Sequence, residues 1–262
     1  KFNASYKITD DVLFYAEASQ GFRPGGANQV IGLAQELTPY TSDSLWTYEA
    51  GLKTTLLDRK LTLNMDVFQI DWSDMQISTR TPNGAFAYIG NAGTARIRGF
   101  ELEGSLRPVE GLSISGNLAY LDAKLTEDQP NAGTAAGAAA GFDGDRIPYV
   151  PKFTAGLSAQ YVWSLTEGLN GFFRMDGNHV GGSYSDFRPT YVYTRYIDDY
   201  EIANLRIGVE ADDNAWGVYA FVNNLFDDTA ITRSTSSAIA RGRTIVNSVA
   251  PRTVGLNFRA NF

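Results

Sequence analysis

The chain has 262 residues, a formal net charge of −7 and a mean hydropathy of −0.21, with no cysteine and one histidine. The acidic balance argues against a nucleic-acid partner, and the lack of cysteine excludes a disulfide scaffold and thiolate metal sites. No apolar run approaches the roughly 18 residues that a membrane-spanning helix needs, which excludes a helical membrane protein. A membrane β-barrel stays open, because alternating strands average to a mildly hydrophilic composition.

Period-two alternation and turn chemistry predict eleven strands. They lie at 2–8, 12–21, 45–57, 60–72, 94–106, 111–123, 152–163, 169–183, 200–210, 215–223 and 251–262. Short connections (9–11, 58–59, 107–110, 164–168 and 211–214) alternate without exception with long ones (22–44, 73–93, 124–151, 184–199 and 224–250). Bacterial outer-membrane barrels have short periplasmic turns and longer extracellular loops, so this rhythm predicts an all-β, antiparallel transmembrane barrel.

The two faces of the predicted strands support the same fold. In the fifth strand Phe100 and Leu102 alternate with Glu101 and Glu103. In the last strand the residues Val254, Leu256, Phe258, Ala260 and Phe262 alternate with Thr253, Gly255, Asn257, Arg259 and Asn261. A one-residue slip would move charges into lipid, and an arginine at the bilayer midplane costs about 2–4 kcal/mol.

Two strands fit this pattern less well. In the fourth, the apolar face begins as Leu61, Leu63, Met65 and Val67 and then changes to Phe68, Ile70 and Trp72, which predicts a β-bulge near Val67. In the tenth, Trp216, Val218 and Val222 compete with Tyr219 and Phe221 for the apolar face, and the pattern leaves the choice open.

The four tryptophans are predicted to form two aromatic girdles at the membrane boundaries. Trp163 and Trp216 lie beside short turns, and Trp46 and Trp72 lie beside long loops. Tryptophan favours the lipid–water boundary because its ring is apolar and its N–H stays hydrated. The alternative is that these residues are core aromatics of a soluble β protein.

Residues that could carry catalysis or bind a metal are scarce. The single histidine, His179, would need a nearby serine and an orienting carboxylate to act as a general base. Arg174, Asp176 and Asn178 share the polar face of the eighth strand, which puts His179 on the opposite face as an interfacial residue. We therefore expect no enzyme activity, no cofactor and no metal site, and we interpret 143–145 as a solvated acidic turn.

The loop 183–200 is the strongest candidate for ligand contact, because aromatic and arginine side chains supply stacking, hydrogen bonds and charge. The candidates there are Tyr184, Arg188, Tyr191, Tyr193 and Arg195, and Arg23 and Asn28 are candidates in the first long loop. The alternative is that these loops pack only on themselves. The Ala/Gly tract 131–141 is of low complexity and is expected at a loop tip.

Several segments carry recognisable sequence frames. Asn91 to Leu112 reads N-A-G-T-A-R-I-R-G-F-E-L-E-G-S-L-R-P-V-E-G-L and is the most specific of them. The others are Val12 to Gly26, Tyr48 to Asp58 with the following strand to Trp72, Arg146 to Phe153, Asn204 to Arg206, and Phe221 to Asp228. Together they resemble the TonB-dependent outer-membrane receptors over nearly the whole chain.

The resemblance implies a barrel of about 22 strands that is plugged by an N-terminal globular domain. Eleven strands are half of that number, and no segment resembles a plug or a TonB box. We therefore expect residues 1–262 to be the C-terminal part of the barrel domain, with the plug domain absent from this chain. The open edges would pair with the remaining strands. Because Lys1 is not an initiator methionine and no signal peptide precedes the first strand, the chain is expected to be a processed or incomplete piece.

The resemblance also implies a function in the bacterial outer membrane. It implies energy-coupled import of a scarce nutrient (a ferric siderophore, cobalamin or an oligosaccharide), powered by the TonB energy-transducing complex. The other implied partners are outer-membrane lipid, the plug, a small-molecule or metal-chelate substrate, and the barrel-assembly machinery that would read Phe262. Side chains expected to face the lumen and hold the plug are Lys53, Glu101, Glu103, Arg174, Asp176, Arg206 and Arg259. The alternative is a passive porin or structural barrel without energy coupling.

Overall fold

Eleven long strands form one antiparallel sheet in the computed structural model, which describes residues 1–81, 85–91, 93–129, 140–190, 192–236 and 244–261. They are β1 Phe2–Thr9, β2 Val12–Arg23, β3 Asp43–Leu56, β4 Leu61–Ser73, β5 Ala95–Leu106, β6 Leu112–Leu125, β7 Phe153–Thr166, β8 Leu169–Val180, β9 Tyr200–Ala211, β10 Trp216–Asn223 and β11 Thr253–Ala260. In the described part of the chain, no helix has the length and apolar character required to cross a bilayer.

The sheet follows the chain order from β1 to β11, so all eleven predicted strands and the alternation of short and long connections are confirmed. Among the described residues β1 and β11 each pair with one neighbour, which leaves the sheet open at two edges. The long connections contain smaller elements. These are four hairpins (Gly26–Ala27 with Pro39–Tyr40, Gln76–Arg80 with Ala87–Asn91, Ser183–Tyr184 with Tyr196–Ile197, and Ile231–Ser236 with Thr244–Ser248) and a 3-10 turn at Gln35–Leu37.

The pairing register sorts the side chains into an apolar face and a polar face. One row of opposed residues on the apolar face is Leu52, Met65, Leu102, Leu118 and Ala155. The next row, on the polar face, is Lys53, Asn64, Glu103, Asn117 and Gly156. The facing predicted for β5 and β11 is correct. In β10, Trp216, Val218 and Val222 oppose apolar-face residues of β11, so Tyr219 and Phe221 lie on the polar face.

The bulge predicted near Val67 is wrong. β4 keeps an unbroken register with both β3 and β5, so Phe68, Ile70 and Trp72 lie on the polar face. The strands here have 12 to 14 residues, more than the roughly 9–11 that a tilted strand needs to span a bilayer. In the membrane barrel that the sequence predicts, the extra residues would project beyond the bilayer at the long-loop end. At that end the outer surface of the sheet would be in water and could carry polar side chains, while the inner surface packs against the loops and could carry apolar ones. The residue types on the two faces therefore switch without a change of register.

An apolar cluster fills the polar-face side of the long-loop end. Its buried residues are Met75, Ala95 and Leu125, and Trp72, Ile77, Ile147 and Phe187 pack against them. The placement of Trp72 in a membrane girdle is therefore wrong, because its ring lies under the loops. The other three tryptophans lie on the apolar face: Trp46 stacks on Tyr48 and Trp163 on Tyr161, and Trp216 is 43% exposed.

Gly111, in the short turn before β6, lies where the backbone leaves no space for a side chain. Its φ is +77°, and a Cβ added there would overlap the carbonyl oxygen of Val162 on β7. Gly168, in the turn before β8, has φ +80° and open space around it. We expect Gly168→Ala to cost about 1–2 kcal/mol from backbone strain alone, and Gly111→Ala to cost clearly more. Urea unfolding of the intact protein in lipid vesicles measures the stability of both variants. Equal losses of unfolding free energy would contradict the predicted overlap with Val162.

Candidate functional site

Four carboxylates form an acidic patch on the polar face: Glu49, Asp66, Glu101 and Glu103. Asp66 stands directly opposite Glu101 in the register. The hydroxyl of Tyr15 donates a hydrogen bond to Glu49 (2.6 Å), whereas Asp66, Glu101 and Glu103 have no ion-pair partner among the described residues. Like charges placed opposite each other across strands are destabilising, so a cationic side chain of another segment that faced the patch would relieve this repulsion.

Three residues of the acidic patch, all except Glu49, line an open concavity of about 660 Å³, whose other polar residues include Asn64, Ser115, Asn117, Ser158 and Asn178. Carboxylates, amides and hydroxyls supply acceptors in this wall, and the amides and hydroxyls also supply donors. Lys53 lies beside the patch, with its Nζ 5.1 Å above the ring of Tyr15. A surface with this composition can hold a polar protein segment or a hydrated solute.

An arginine patch occupies the polar face of β8 to β11, and it consists of Arg174, Arg206 and Arg259. Arg174 pairs with Asp176 (Nη2 to Oδ1, 2.7 Å), and the guanidinium of Arg206 lies 6.0 Å from the ring centre of Tyr219. Arg259 Nη2 lies 4.0 Å from Oε2 of Glu210, which accepts a 2.6 Å hydrogen bond from Tyr219. The patch borders a second open concavity of about 690 Å³. All seven residues predicted to face the lumen therefore lie on one face.

The buried carboxylate of Asp43 links the bases of the first two long loops. Asp43 is 2% exposed and forms a bidentate ion pair with Arg23. It also accepts hydrogen bonds from the indole N–H of Trp72 (3.1 Å) and the backbone N–H of Gln76 (3.3 Å). Arg23 in turn donates to the carbonyl of Gln76 (3.1 Å) and lies over the ring of Trp72. Much of the hydrogen-bonding capacity of Arg23, a predicted ligand residue, is thus used inside the protein.

Two asparagines join the same loops by mimicking strand pairing. Asn28 donates to the carbonyl of Ile89 and accepts from its N–H, both at 2.8 Å. Asn91 accepts from the N–H of Thr41 (2.8 Å) and donates to its carbonyl (3.0 Å). A ligand role for Asn28 stays a prediction, since its amide serves a contact between loops. Asp43 and Asn91 were not predicted as site residues, although Asn91 begins the most specific sequence frame.

The loop between β8 and β9 brings together several predicted ligand residues. Tyr184 packs edge-on against Tyr196 and under Arg146, and Arg188 lies 4.7 Å from the ring centre of Phe142. Burial raises the pKa of Asp186, whose carboxylate accepts a hydrogen bond from Ser185.

Arg195 is the exposed candidate of this loop. Its Nη1 donates to the carbonyls of Val192 and Thr194 at 3.0 Å, and its Nε and Nη2 have no hydrogen bond in the described chain. Two donor nitrogens, Nε and Nη2, are therefore available to a ligand. Tyr193 is half-buried in the same loop. Tyr191, like Phe262 and most of the tract 131–141, lies outside the described residues.

The remaining polar candidates have local roles. His179 lies on the apolar face with Nδ1 3.2 Å from Oε1 of Glu201 and its ring 5.7 Å from that of Phe153. In the acidic turn, Asp145 accepts a hydrogen bond from the backbone N–H of Phe142 (2.8 Å). Across the described residues, no group of three or more His, Asp or Glu side chains is arranged to hold a metal ion.

The family model described as "TonB dependent receptor-like, beta-barrel" matches residues 1–225. This chain belongs to the TonB-dependent receptor β-barrel family. It is 30% identical to the pesticin receptor of Yersinia enterocolitica, over all of this chain and 36% of that protein. It is 28% identical to the metal-pseudopaline receptor of Pseudomonas aeruginosa, over 98% of this chain and 32% of the relative.

A solved structure shares the fold closely. The ferric yersiniabactin uptake receptor from Yersinia pestis superimposes with a TM-score of 0.81 at 26% identity, over 99% of this chain and 36% of that one. The chain therefore spans about a third of the length of the relatives it matches. As part of a TonB-dependent receptor barrel of the outer membrane, its apolar face is the lipid-facing outer wall and its polar face is the inner wall.

Proposed function

We propose that the intact protein imports a metal chelate across the outer membrane by energy-coupled transport through a plugged barrel. The observation that carries the proposal is the likeness to the ferric yersiniabactin uptake receptor, at 26% identity over 99% of this chain. The other matched receptors include one for metal-pseudopaline, also a metal chelate by name. A metal-chelate substrate is therefore favoured over cobalamin and oligosaccharides.

The inner wall supplies a surface for the plug in this proposal. Three carboxylates of the acidic patch have no ion-pair partner in the described chain, and Asp66 opposes Glu101. A plug segment packed against this patch would remove these carboxylates from water, where charges without a partner are costly, so the segment is expected to carry arginine or lysine. Two arginines of the arginine patch already lie beside carboxylates, those of Asp176 and Glu210, and the patch offers donors to acceptors on the plug. The TonB complex, acting from the periplasm, would displace the plug from these contacts.

The long loops supply the substrate surface. Metal chelates present carboxylate, phenolate and carbonyl oxygens, to which a guanidinium donates well. Arg195 is exposed and has free donors at Nε and Nη2 within the described residues. Tyr184, Arg188, Tyr191 and Tyr193 remain proposed contacts in the same loop.

Uptake of a radiolabelled ferric chelate by iron-limited cells tests the proposal. Cells that produce the intact protein are expected to accumulate iron from the chelate, and a proton-gradient uncoupler is expected to abolish the accumulation. Arg195→Ala is expected to weaken chelate binding by about tenfold, the loss of one charge-assisted hydrogen bond. Arg107→Ala, in an exposed turn at the opposite end, is the matched control. Uptake that persists with the uncoupler would instead identify a passive porin.

A further inference from the structure

The outer wall carries a group of charged side chains near the long-loop end. They are Gln69 and Asp71 of β4, Arg96 and Arg98 of β5, and Asp122 and Lys124 of β6, which we call the outer polar cluster. Asp71, Arg96 and Lys124 oppose one another in one row, and Gln69, Arg98 and Asp122 form the next. The row below is Val67, Phe100 and Tyr120, and it belongs to the apolar wall.

The two arginines of the cluster are held in the same way. Arg96 uses Nε to bind Asp71 (2.6 Å), and Arg98 uses Nε to bind Gln69 (2.8 Å). Within the described residues, neither guanidinium has a hydrogen bond at Nη1 or Nη2. Arg96 and Arg98 lie two residues apart on one face of one strand, about 7 Å along it. Their free ends therefore form two neighbouring forks whose orientation is already fixed.

The charge balance of the cluster is positive. Arg96, Arg98 and Lys124 outnumber the carboxylates Asp71 and Asp122, which gives a net charge of +1. Lys124 pairs with Asp122 (2.9 Å), and the side chains of Arg96 and Lys124 are each 43% exposed. Arg98 has no carboxylate partner among the described residues, so its charge is available to an anion.

Aromatic rings mark the level of the cluster relative to the membrane. Phe100 and Tyr120 stack directly below it, and Trp46 and Tyr48 stack beside it on β3 opposite Asp71 and Gln69. Such rings favour the headgroup level of a bilayer. The outer polar cluster therefore lies at or just above the headgroups of the outer leaflet, with exposed apolar side chains such as Val67 (60%) beneath it.

We propose that the outer polar cluster binds the phosphate headgroup of an outer-leaflet lipid whose acyl chains lie along the apolar wall below. The planar forks of Arg96 and Arg98 match the oxygens of a phosphate, and their fixed Nε contacts reduce the entropy lost on binding. Asp71 and Gln69 position the two guanidiniums, and the cluster keeps its net charge of +1 although Asp71 pairs with Arg96. A lipid accounts for the cationic rim and the exposed apolar wall with a single ligand, whereas a free anion accounts only for the rim.

Native mass spectrometry of the intact protein in detergent tests this, with phosphatidic acid and phosphatidylcholine of identical acyl chains as probes. The wild-type protein is expected to retain phosphatidic acid in preference to phosphatidylcholine. Arg96→Gln with Arg98→Gln is expected to reduce that retention about thirtyfold, the effect of two basic residues at an anionic membrane surface. Arg59→Gln with Lys60→Gln removes the same charge in a short turn at the other end and is expected to change nothing.

The conservative pair Arg96→Lys with Arg98→Lys keeps the positive charge but removes the planar guanidinium groups. Its retention of phosphatidic acid is expected to lie between those of the wild-type protein and the Gln pair. Heat-dependent mobility on denaturing gels shows that each variant is folded. Undiminished retention of phosphatidic acid by the Gln pair overturns the proposal. Displacement of the lipid by inorganic phosphate at an equal concentration also overturns it, because the site would then be one for free anions.

Discussion

Asp43→Asn is expected to lower the free energy of unfolding by about 2 kcal/mol, between the values for exposed and buried ion pairs. The carboxylate is buried while its partner Arg23 is half exposed, which is why the value lies between the two. The amide keeps one acceptor oxygen but removes the charge and the second oxygen that Trp72 and Gln76 share. Urea unfolding of the intact protein in lipid vesicles measures the loss.

The same variant is expected to loosen the loop base locally. The backbone N–H groups of Arg23 and Gln76 both donate to Asp43, so their hydrogen exchange is expected to become faster. Asp227→Asn is the matched control, because Asp227 pairs with Arg252 while both side chains are 47% exposed. That change is expected to cost less than about 1 kcal/mol. Equal losses in the two variants would show that burial at Asp43 contributes nothing.

Glu101→Lys combined with Glu103→Lys is expected to reduce chelate uptake by at least about tenfold, because juxtaposed like charges cost several kcal/mol. Both side chains lie on the inner wall in the acidic patch, where the proposed plug contacts are cationic. Reversal of the two charges would repel those cations and loosen the plug. A loosened plug is also expected to admit large antibiotics, so sensitivity to vancomycin is measured alongside uptake.

Two comparison variants separate charge from other effects. Glu101→Gln with Glu103→Gln removes the charges without reversing them, and it is expected to have a smaller effect on both measurements. Glu110→Lys, in an exposed short turn, is expected to leave both unchanged. Normal uptake together with normal antibiotic resistance in the charge-reversed variant would show that the acidic patch does not hold the plug.

The β4 strand shows where sequence reasoning succeeded and where it did not. Alternation identified the strand, and its first half was assigned to the correct face. The change of phase at Val67 was interpreted as a bulge because one membrane environment was assumed along the whole strand. The register is continuous, and the environment changes instead. The same assumption put Trp72 in a girdle, whereas the ring lies under the loops against Asp43.

The predicted ligand residues show a second limit. Arginine and tyrosine in a long loop indicate binding capacity, but the sequence does not reveal which of their donors are already used. Arg23 and Asn28 are engaged in contacts between two loops, and Arg195 retains free donors in the described chain. Asp43 gave no signal in the sequence, because its role depends on Arg23, Trp72 and Gln76, which are distant in sequence.

The sequence by itself determined the eleven strands, their antiparallel order, the alternation of turns and loops, and the side of the sheet on which most charges lie. These features depend on the alternation of apolar and polar residues and on the lengths of the connections, and both can be counted directly in the sequence. Only the tertiary structure decided the facing of β10, the exchange of faces at the long-loop end, the Asp43 contacts and the two arginine forks of the outer wall. Each of these depends on which strands and loops meet in space, and on how far a strand extends past the membrane.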